Sequence, residues 1–327
     1  MDELRWGVLG ATAFISTRVS PALHRAEGNR VVAMAGRSGR LDVVSALAAE
    51  FGARAHDGFD ALLADPDVDA VYITLPNSLH VPWTVRALEA GKHVLVEKPM
   101  ALTEADCDLV DAAAGSRTVM EAFWYRFHPQ QERVAEIIAS GEIGSPRLVR
   151  ASFAFVAPDG ADIRFDPALG GGATWDVGCY AFDVAMWLFG REPLSVRALE
   201  HRRAGAVVDT SVVSTMDFGG GRIAVLDYSL DHGPRSGYEV QGTLGTIVVH
   251  DAWARDADDA RLTVLGPDGA RDEVLPAVDA YERQALGFAE AVRTGAQPRI
   301  TAAESRRNAR VGSALLRSGA TGRDVVL

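Results

Sequence analysis

Cysteine is scarce. Cys107 and Cys179 are the two in 327 residues, they form no CxxC pair, and they offer no disulfide framework. A cross-linked secreted scaffold is excluded, and a reducing, cytoplasmic setting is expected. Long apolar runs are missing too: none approaches the roughly 20 residues that cross a bilayer, so no membrane association is expected. Met1 to Gly10 lack a basic region followed by an apolar stretch and a small-residue cleavage site, so no secretory signal is expected. There is no HExxH and no His/Cys pair at metal-ligand spacing, so no metal site is expected. Positive charge is in deficit: 33 Lys and Arg against 44 Asp and Glu leave a net charge of −11. Such a surface repels phosphate backbones, which disfavours a nucleic-acid partner. Gly-x-Ser-x-Gly and the P-loop are absent, and none of the six tyrosines is followed by Lys at i+4.

What remains is ordinary globular material, 48% hydrophobic and 24% charged, long enough for about two domains. Over the first ~120 residues short apolar strands alternate with amphipathic helices. The strands read as Leu4–Leu9, Val31–Ala35, Ala70–Leu75, His93–Val96 and Thr118–Glu121. Helical patterns over Leu41–Phe51 and His80–Ala90 stop at Gly52 and Gly91. The alternation predicts a doubly wound parallel sheet, an α/β dinucleotide-type domain over residues 1–122. Residues 123–327 read as a second, α+β domain with an open, mostly antiparallel sheet. Its helices are expected at Pro129–Ser140, Trp175–Phe189, Tyr281–Thr294 and Ala302–Ser318. Its strands are expected at Leu148–Val156, Val196–His201, Val207–Phe218, Arg222–Leu230, Tyr238–Gln241 and Thr246–His250. Gly219-Gly220-Gly221 and Pro267-Asp268-Gly269 read as hairpin turns, and Asp256–Asp259 as a solvated loop.

Candidate chemistry gathers where strands end. Gly10-Ala11-Thr12-Ala13-Phe14-Ile15 follows the first strand and opens a helix, the context for binding a pyrophosphate. The second and third glycine positions are Thr12 and Ile15, so a tight turn without a ligand stays open. Ala35-Gly36-Arg37-Ser38 ends the second strand without the acidic residue that would hold the ribose 2′-hydroxyl of NAD. Arg37 and Ser38 suit a 2′-phosphate, hence NADP rather than NAD; the alternative is an exposed loop arginine. Leu75, Pro76, Asn77 and His80 follow the third expected strand, as cofactor contacts or as turn and helix-start residues. Glu97 and Lys98 end the next. An ammonium there either polarises a carbonyl or is simply solvated. Asp176 and Tyr180, four apart on an expected helix, make an acid/base pair or else a helix cap and an interface aromatic.

These motifs together resemble the glucose–fructose oxidoreductase / inositol dehydrogenase (Gfo/Idh/MocA) family nearly end to end. The resemblance rests on the turn at Gly10, on Ala90 through Glu97-Lys98-Pro99, and on Gly170-Gly171-Gly172 leading into Asp176-x-Gly178-x-Tyr180. It extends through Gly242–Ile247 and the tail from Tyr281 to Thr301. It implies a Rossmann domain and an open-faced sheet domain with the nicotinamide between them, and a Lys98-Pro99 bond that is often cis. It implies that Lys98 holds the substrate hydroxyl and nicotinamide ribose, Asp176 orients the substrate, and Tyr180 is the acid/base. A Tyr there resembles the branch of xylose dehydrogenases, dihydrodiol dehydrogenases and nucleotide-sugar ketoreductases. Arg164 matches a cofactor-touching arginine of that branch, although Ile163 stands where a Trp usually precedes it. Arg126 is placed with the cofactor residues. Trp124, His128, Phe155 and Trp253 are expected along the cleft or in the sheet core.

The implied activity is NADP-dependent hydride exchange with a secondary or anomeric hydroxyl of a sugar or cyclic diol. A nucleotide-linked ketosugar reductase and a non-catalytic NADP sensor are the alternatives, and a homodimer or higher homo-oligomer is expected.

Overall fold

The computed structural model describes residues 3–12, 15–158, 162–253, 260–267 and 269–327. Ala13, Phe14, the Asp256–Asp259 loop and Asp268 of the expected hairpin lie outside them. The chain divides into two compact units, residues 1–124 with 279–306, and residues 125–278 with 307–327.

The first unit contains β1 (Leu4–Leu9), α1 (Ser20–Arg25), β2 (Asn29–Gly36), α2 (Leu41–Ala49), β3 (Arg54–Asp57) and α3 (Phe59–Leu63). It continues with β4 (Ala70–Ile73), α4 (His80–Glu89), β5 (His93–Val96), α5 (Glu104–Ala114) and β6 (Val119–Glu121). All strand pairs are parallel, in the order β3-β2-β1-β4-β5-β6. The order reverses between β1 and β4, where a doubly wound sheet opens its ligand crevice. The central strands are mostly buried, β4 and β5 along their whole length: Val8, Ala33, Val71, Ile73, Val94 and Val96 have no exposed surface. Such strands need helices on both faces, which explains their unbroken apolar runs. β3 and α3 escaped the sequence reading because Arg54-Ala55-His56-Asp57 is a polar edge strand with no apolar run. α5 escaped it too, although Thr103 and Asp106 form a capping box at its start.

The second unit begins with α6 (Pro129–Ala139), β7 (Pro146–Val156), α7 (Cys179–Phe189), β8 (Ser195–His201), β9 (Ser211–Gly219) and β10 (Arg222–Ser229). It goes on through β11 (Asp231–Gly242), β12 (Thr246–His250), β13 (Ala260–Gly266) and β14 (Gly269–Leu275). α8 (Ala280–Thr294), α9 (Ala302–Thr321) and β15 (Val325–Val326) end the described chain. Its nine strands run β14-β13-β12-β11-β7-β10-β9-β8-β15, antiparallel except for β7 beside β10. α7 packs on β7 and β10.

Three expectations are corrected. The strand expected from Val207 starts at Ser211, because Asp209 and Thr210 turn inward and are buried. β11 reaches back from Tyr238 to Asp231; its first half, Asp231-His232-Gly233-Pro234-Arg235-Ser236, lacks an apolar pattern and was invisible. The tail, expected wholly in the second domain, is divided. α8 belongs with the first unit, where Phe288 packs on Trp6 at 5.1 Å and Tyr281 stacks on Trp124 at 5.3 Å.

A charge cluster closes one edge of the parallel sheet. Asp65 accepts from Arg54 at 2.9 Å and from the Asp67 N–H at 2.9 Å, and lies 3.0 Å from His56. Lys92 Nζ donates to the carbonyls of Asp65 and Val68 at 2.7 and 2.8 Å. Burial alone would push the Asp65 carboxyl up, but the bonds from Asp67, Arg54 and His56 outweigh it and hold the pKa below its ordinary value. Lowered in the folded state, this group contributes stability that is present above pH ~4 and lost as the pH falls further. Asp65→Asn should therefore lower the melting temperature at pH 7 and narrow the gap to wild type as pH drops below ~4, read by thermal unfolding at several pH values.

Candidate active site

The first unit presents four strand ends side by side. At the end of β1, Gly10 has φ +100°, and a Cβ there would lie 2.7 Å from Thr74 Oγ1 and 2.8 Å from the Thr74 carbonyl oxygen. Only glycine fits, so the backbone is bare at the point where a pyrophosphate would approach. Thr74 Oγ1 lies 2.9 and 3.0 Å from the carbonyl oxygens of Leu9 and Gly10. Beyond Ala11, the carbonyl of Thr12 accepts from the Ser16 N–H at 3.0 Å, and a short π-helix starts at Ile15. At the end of β2, Arg37 and Ser38 are exposed. Asp57 on β3, which sequence reasoning passed over, accepts from the Gly39 N–H at 2.8 Å and pins this loop.

The ends of β4 and β5 are tied together. His80 is the first residue of α4, and its buried ring lies 2.7 Å from the Leu75 carbonyl and 2.7 Å from the Pro99 carbonyl. Burial pushes its pKa down, against the bonds to the Pro99 and Leu75 carbonyls, which favour the protonated ring. Pro76 and Asn77 form the short turn between them. The Lys98-Pro99 bond is cis. Glu97 accepts from Tyr72 Oη at 2.7 Å and from the Lys98 N–H at 3.2 Å, so a buried tyrosine fixes the residue before Lys98.

In the second unit one helical run carries Asp176 and Tyr180. It opens as a π-turn over Thr174–Gly178 and continues as α7. Asp176 accepts from Arg164 Nε at 2.8 Å, and Arg164 Nη1 also reaches Asp162 at 3.0 Å. Tyr180 is 2% exposed and enclosed by Phe153, Tyr125 and Trp253 at ring separations of 5.4, 5.8 and 6.0 Å. Behind it, Asp183 accepts from Tyr125, from Arg126 at 3.2 Å and from Asn308 at 3.1 Å. Arg126, also stacked on Trp187 at 4.6 Å, is thus buried and charge-paired in the core. His128 caps α6, and Trp253 stacks on Phe153 at 5.2 Å; Trp124 lies in the other unit. Asp209 was missed altogether. It accepts from the Thr174 N–H and hydroxyl, both at 2.7 Å, and burial pushes its carboxyl up against the effect of those bonds. No motif marks it, since its partner is distant in the chain.

Residues 4–124 match the oxidoreductase family with an NAD-binding Rossmann fold, and residues 132–248 match the GFO/IDH/MocA C-terminal domain. The chain belongs to the GFO/IDH/MocA oxidoreductase family. Within it, the chain is 38% identical over 331 residues to D-xylose 1-dehydrogenase (NADP(+)) 2 of Haloferax volcanii, covering 99% of this chain and 100% of that one. It is also similar to a 3-ketoreductase from Actinomadura kijaniata solved with NADP and TDP-benzene. There the TM-score is 0.90 and the identity 33%, over 97% of this chain and 98% of that one. An aldose-aldose oxidoreductase from Caulobacter crescentus, solved with glycerol, gives a TM-score of 0.91 at 29% identity, over 99% and 100% of the two chains.

For a GFO/IDH/MocA chain the bare backbone at Gly10 is the feature a dinucleotide needs. Gly10→Ala should weaken NADPH binding by roughly tenfold or more, given a strain of about 1–3 kcal/mol. Fluorescence titration checks this; an unchanged Kd would show that the turn does not face the cofactor.

Proposed function

We propose that the chain is an NADP-dependent aldose dehydrogenase, acting on an anomeric or secondary hydroxyl of a sugar or cyclic polyol. The observation that carries the reading is the single helix holding a carboxylate and a phenol about one turn apart, Asp176 and Tyr180, with Asp176 oriented by Arg164. The residues present fit the dinucleotide. Gly10, Ala11, Thr12 and Ile15 would take the pyrophosphate side. Arg37 and Ser38 would take the 2′-phosphate, favouring NADP over NAD, as the names of the Haloferax and Actinomadura relatives also do. Leu75, Pro76, Asn77, His80 and Glu97 would shape the nicotinamide side.

When bound, the dinucleotide supplies the hydride acceptor or donor. Tyr180 Oη, as the phenolate, would take the proton of the reacting hydroxyl in oxidation and, as the phenol, would return it in reduction. The ammonium of Lys98 makes a phenol more acidic and stabilises negative charge that develops on the substrate oxygen. Asp176 accepts a substrate hydroxyl and fixes its orientation.

A nucleotide-linked ketosugar reductase is the second reading, favoured by the likeness to the TDP-benzene complex. Against it, Arg126 and Arg164 are committed to Asp183 and to Asp176 with Asp162, so neither is left to hold a diphosphate. That weighs for a neutral sugar. A non-catalytic NADP sensor would have no use for both Lys98 and Tyr180. Cys107 and Cys179 are buried thiols rather than disulfide halves, which suits a cytoplasmic setting. Leu199, Val213, Ile223 and Leu265 are exposed on one face of the second sheet, which suits a homodimer through that face.

Absorbance at 340 nm with NADP⁺ and a panel of aldoses, polyols and trans-dihydrodiols tests the activity. Tyr180→Phe and Lys98→Ala should each lower kcat by roughly 10²–10⁴-fold. Arg37→Ala should raise the KM for NADP⁺ about tenfold or more while leaving NAD⁺ little changed. No turnover of any sugar, with tight NADPH binding intact, would favour the ketosugar reductase or the sensor. Sedimentation equilibrium should give twice the 34.9 kDa chain mass, reduced toward one chain by Val213→Lys with Ile223→Lys. A wild-type protein sedimenting as a single chain would sink the dimer.

A further inference from the structure

The helical run with Asp176 and Tyr180 has no capping side chain of its own; its start is held from far along the chain. Between β8 and β9 the chain turns inward and buries Asp209. Its carboxylate accepts the backbone N–H and the hydroxyl of Thr174, each at 2.7 Å, and its own carbonyl accepts the Ala173 N–H at 2.8 Å. Gly172, at φ +116°, leaves the room: a Cβ there would fall on Asp209 Oδ1. Six residues on, a Cβ on Gly178 would lie 2.7 Å from the ring of Tyr228. Thr174 Oγ1 also lies 3.4 Å from Tyr228 Oη, joining the two supports. The helix is therefore fixed along its axis at Thr174 and laterally at Gly178. Asp176 lies between these points and Tyr180 just beyond them.

We infer that Asp209 is a positioning residue for the reaction, holding the Thr174 turn so that Asp176 and Tyr180 keep their places against the substrate. This rests on the reading of Tyr180 as the acid/base. Removing a cap that only added stability would lower the amount of folded protein and nothing else. A positioning group changes the rate of each folded molecule, and it does so through Tyr180. Small displacements of catalytic groups are expensive, about 10²-fold for ~1 Å.

The test is a double-mutant cycle in kcat, normalised to NADPH-binding sites. Asp209→Ala should lower kcat by roughly 10- to 100-fold with the Kd for NADPH unchanged. Asp209→Asn keeps an acceptor for Thr174 and should restore most of the loss. In the Tyr180→Phe background, Asp209→Ala should cost several-fold less than in the wild type, because one of the two groups it positions is already gone and only Asp176 is left to displace. An equal factor in both backgrounds, or a loss that vanishes on normalisation, would reduce Asp209 to a structural cap. A Tyr180→Phe enzyme with wild-type kcat would instead overturn the acid/base reading, and this inference with it. If Asp209→Ala does not fold, Thr174→Val removes the hydroxyl donor alone and should show the same non-additivity at a smaller amplitude.

Discussion

The first unit depends on how closely β1 and β4 come together at their carboxyl ends. Thr74 Oγ1 bonds back to the carbonyls of Leu9 and Gly10, and the gap admits no side chain at Gly10. Because β1 and β4 flank the reversal of strand order, this one approach fixes where the chain can open for a ligand. The neighbouring strand ends then take their places from it. His80 reaches from Leu75 to Pro99, and Tyr72 reaches Glu97, so the segment with Lys98 is held from two directions.

The second unit solves a different problem, holding one buried helix by its charged neighbours. Asp183 and Arg126 are both nearly inaccessible, and an unmatched charge there would be costly. The pair is complete only with Tyr125 and Asn308, which supply the remaining hydrogen bonds. Tyr125 then lies against Tyr180 at 5.8 Å, so the polar network and the aromatic enclosure share a residue. Outside this core, Arg164 is neutralised by Asp162 and Asp176. Arg126 and Arg164, which the sequence reading places with the cofactor residues, are thus each paired with carboxylates of the same chain.

The parallel sheet was legible because its strands are apolar on both faces. Leu4–Leu9, His93–Val96 and Thr246–His250 coincide with observed strands to the residue. Elements escaped where burial is partial. β3 is a polar edge strand, and the first half of β11 mixes Gly, Pro and charge. Asp176, Tyr180 and Lys98 stood out because their residue types and local spacing carry a chemical expectation. Asp209 and Asp183 did not, since their partners lie 35 and 125 positions away, a relation that no local pattern encodes. The destination of α8 was likewise hidden. Its amphipathic stripe declares a buried face but not which sheet receives it.

That destination has a consequence for how the protein comes into being. α8 covers Trp6 with Phe288 and Trp124 with Tyr281, and all strands of the second sheet but β15 are threaded between β6 and α8. During synthesis the parallel sheet emerges first but lacks its covering helix until almost the entire chain has left the ribosome. For that interval the indoles of Trp6 and Trp124 lack the rings of Phe288 and Tyr281 that pack on them in the finished fold. The same threading links the two units' fates. Proteolysis within residues 125–278 would sever α8 from the sheet it shields, so damage to one unit would be felt as instability in the other.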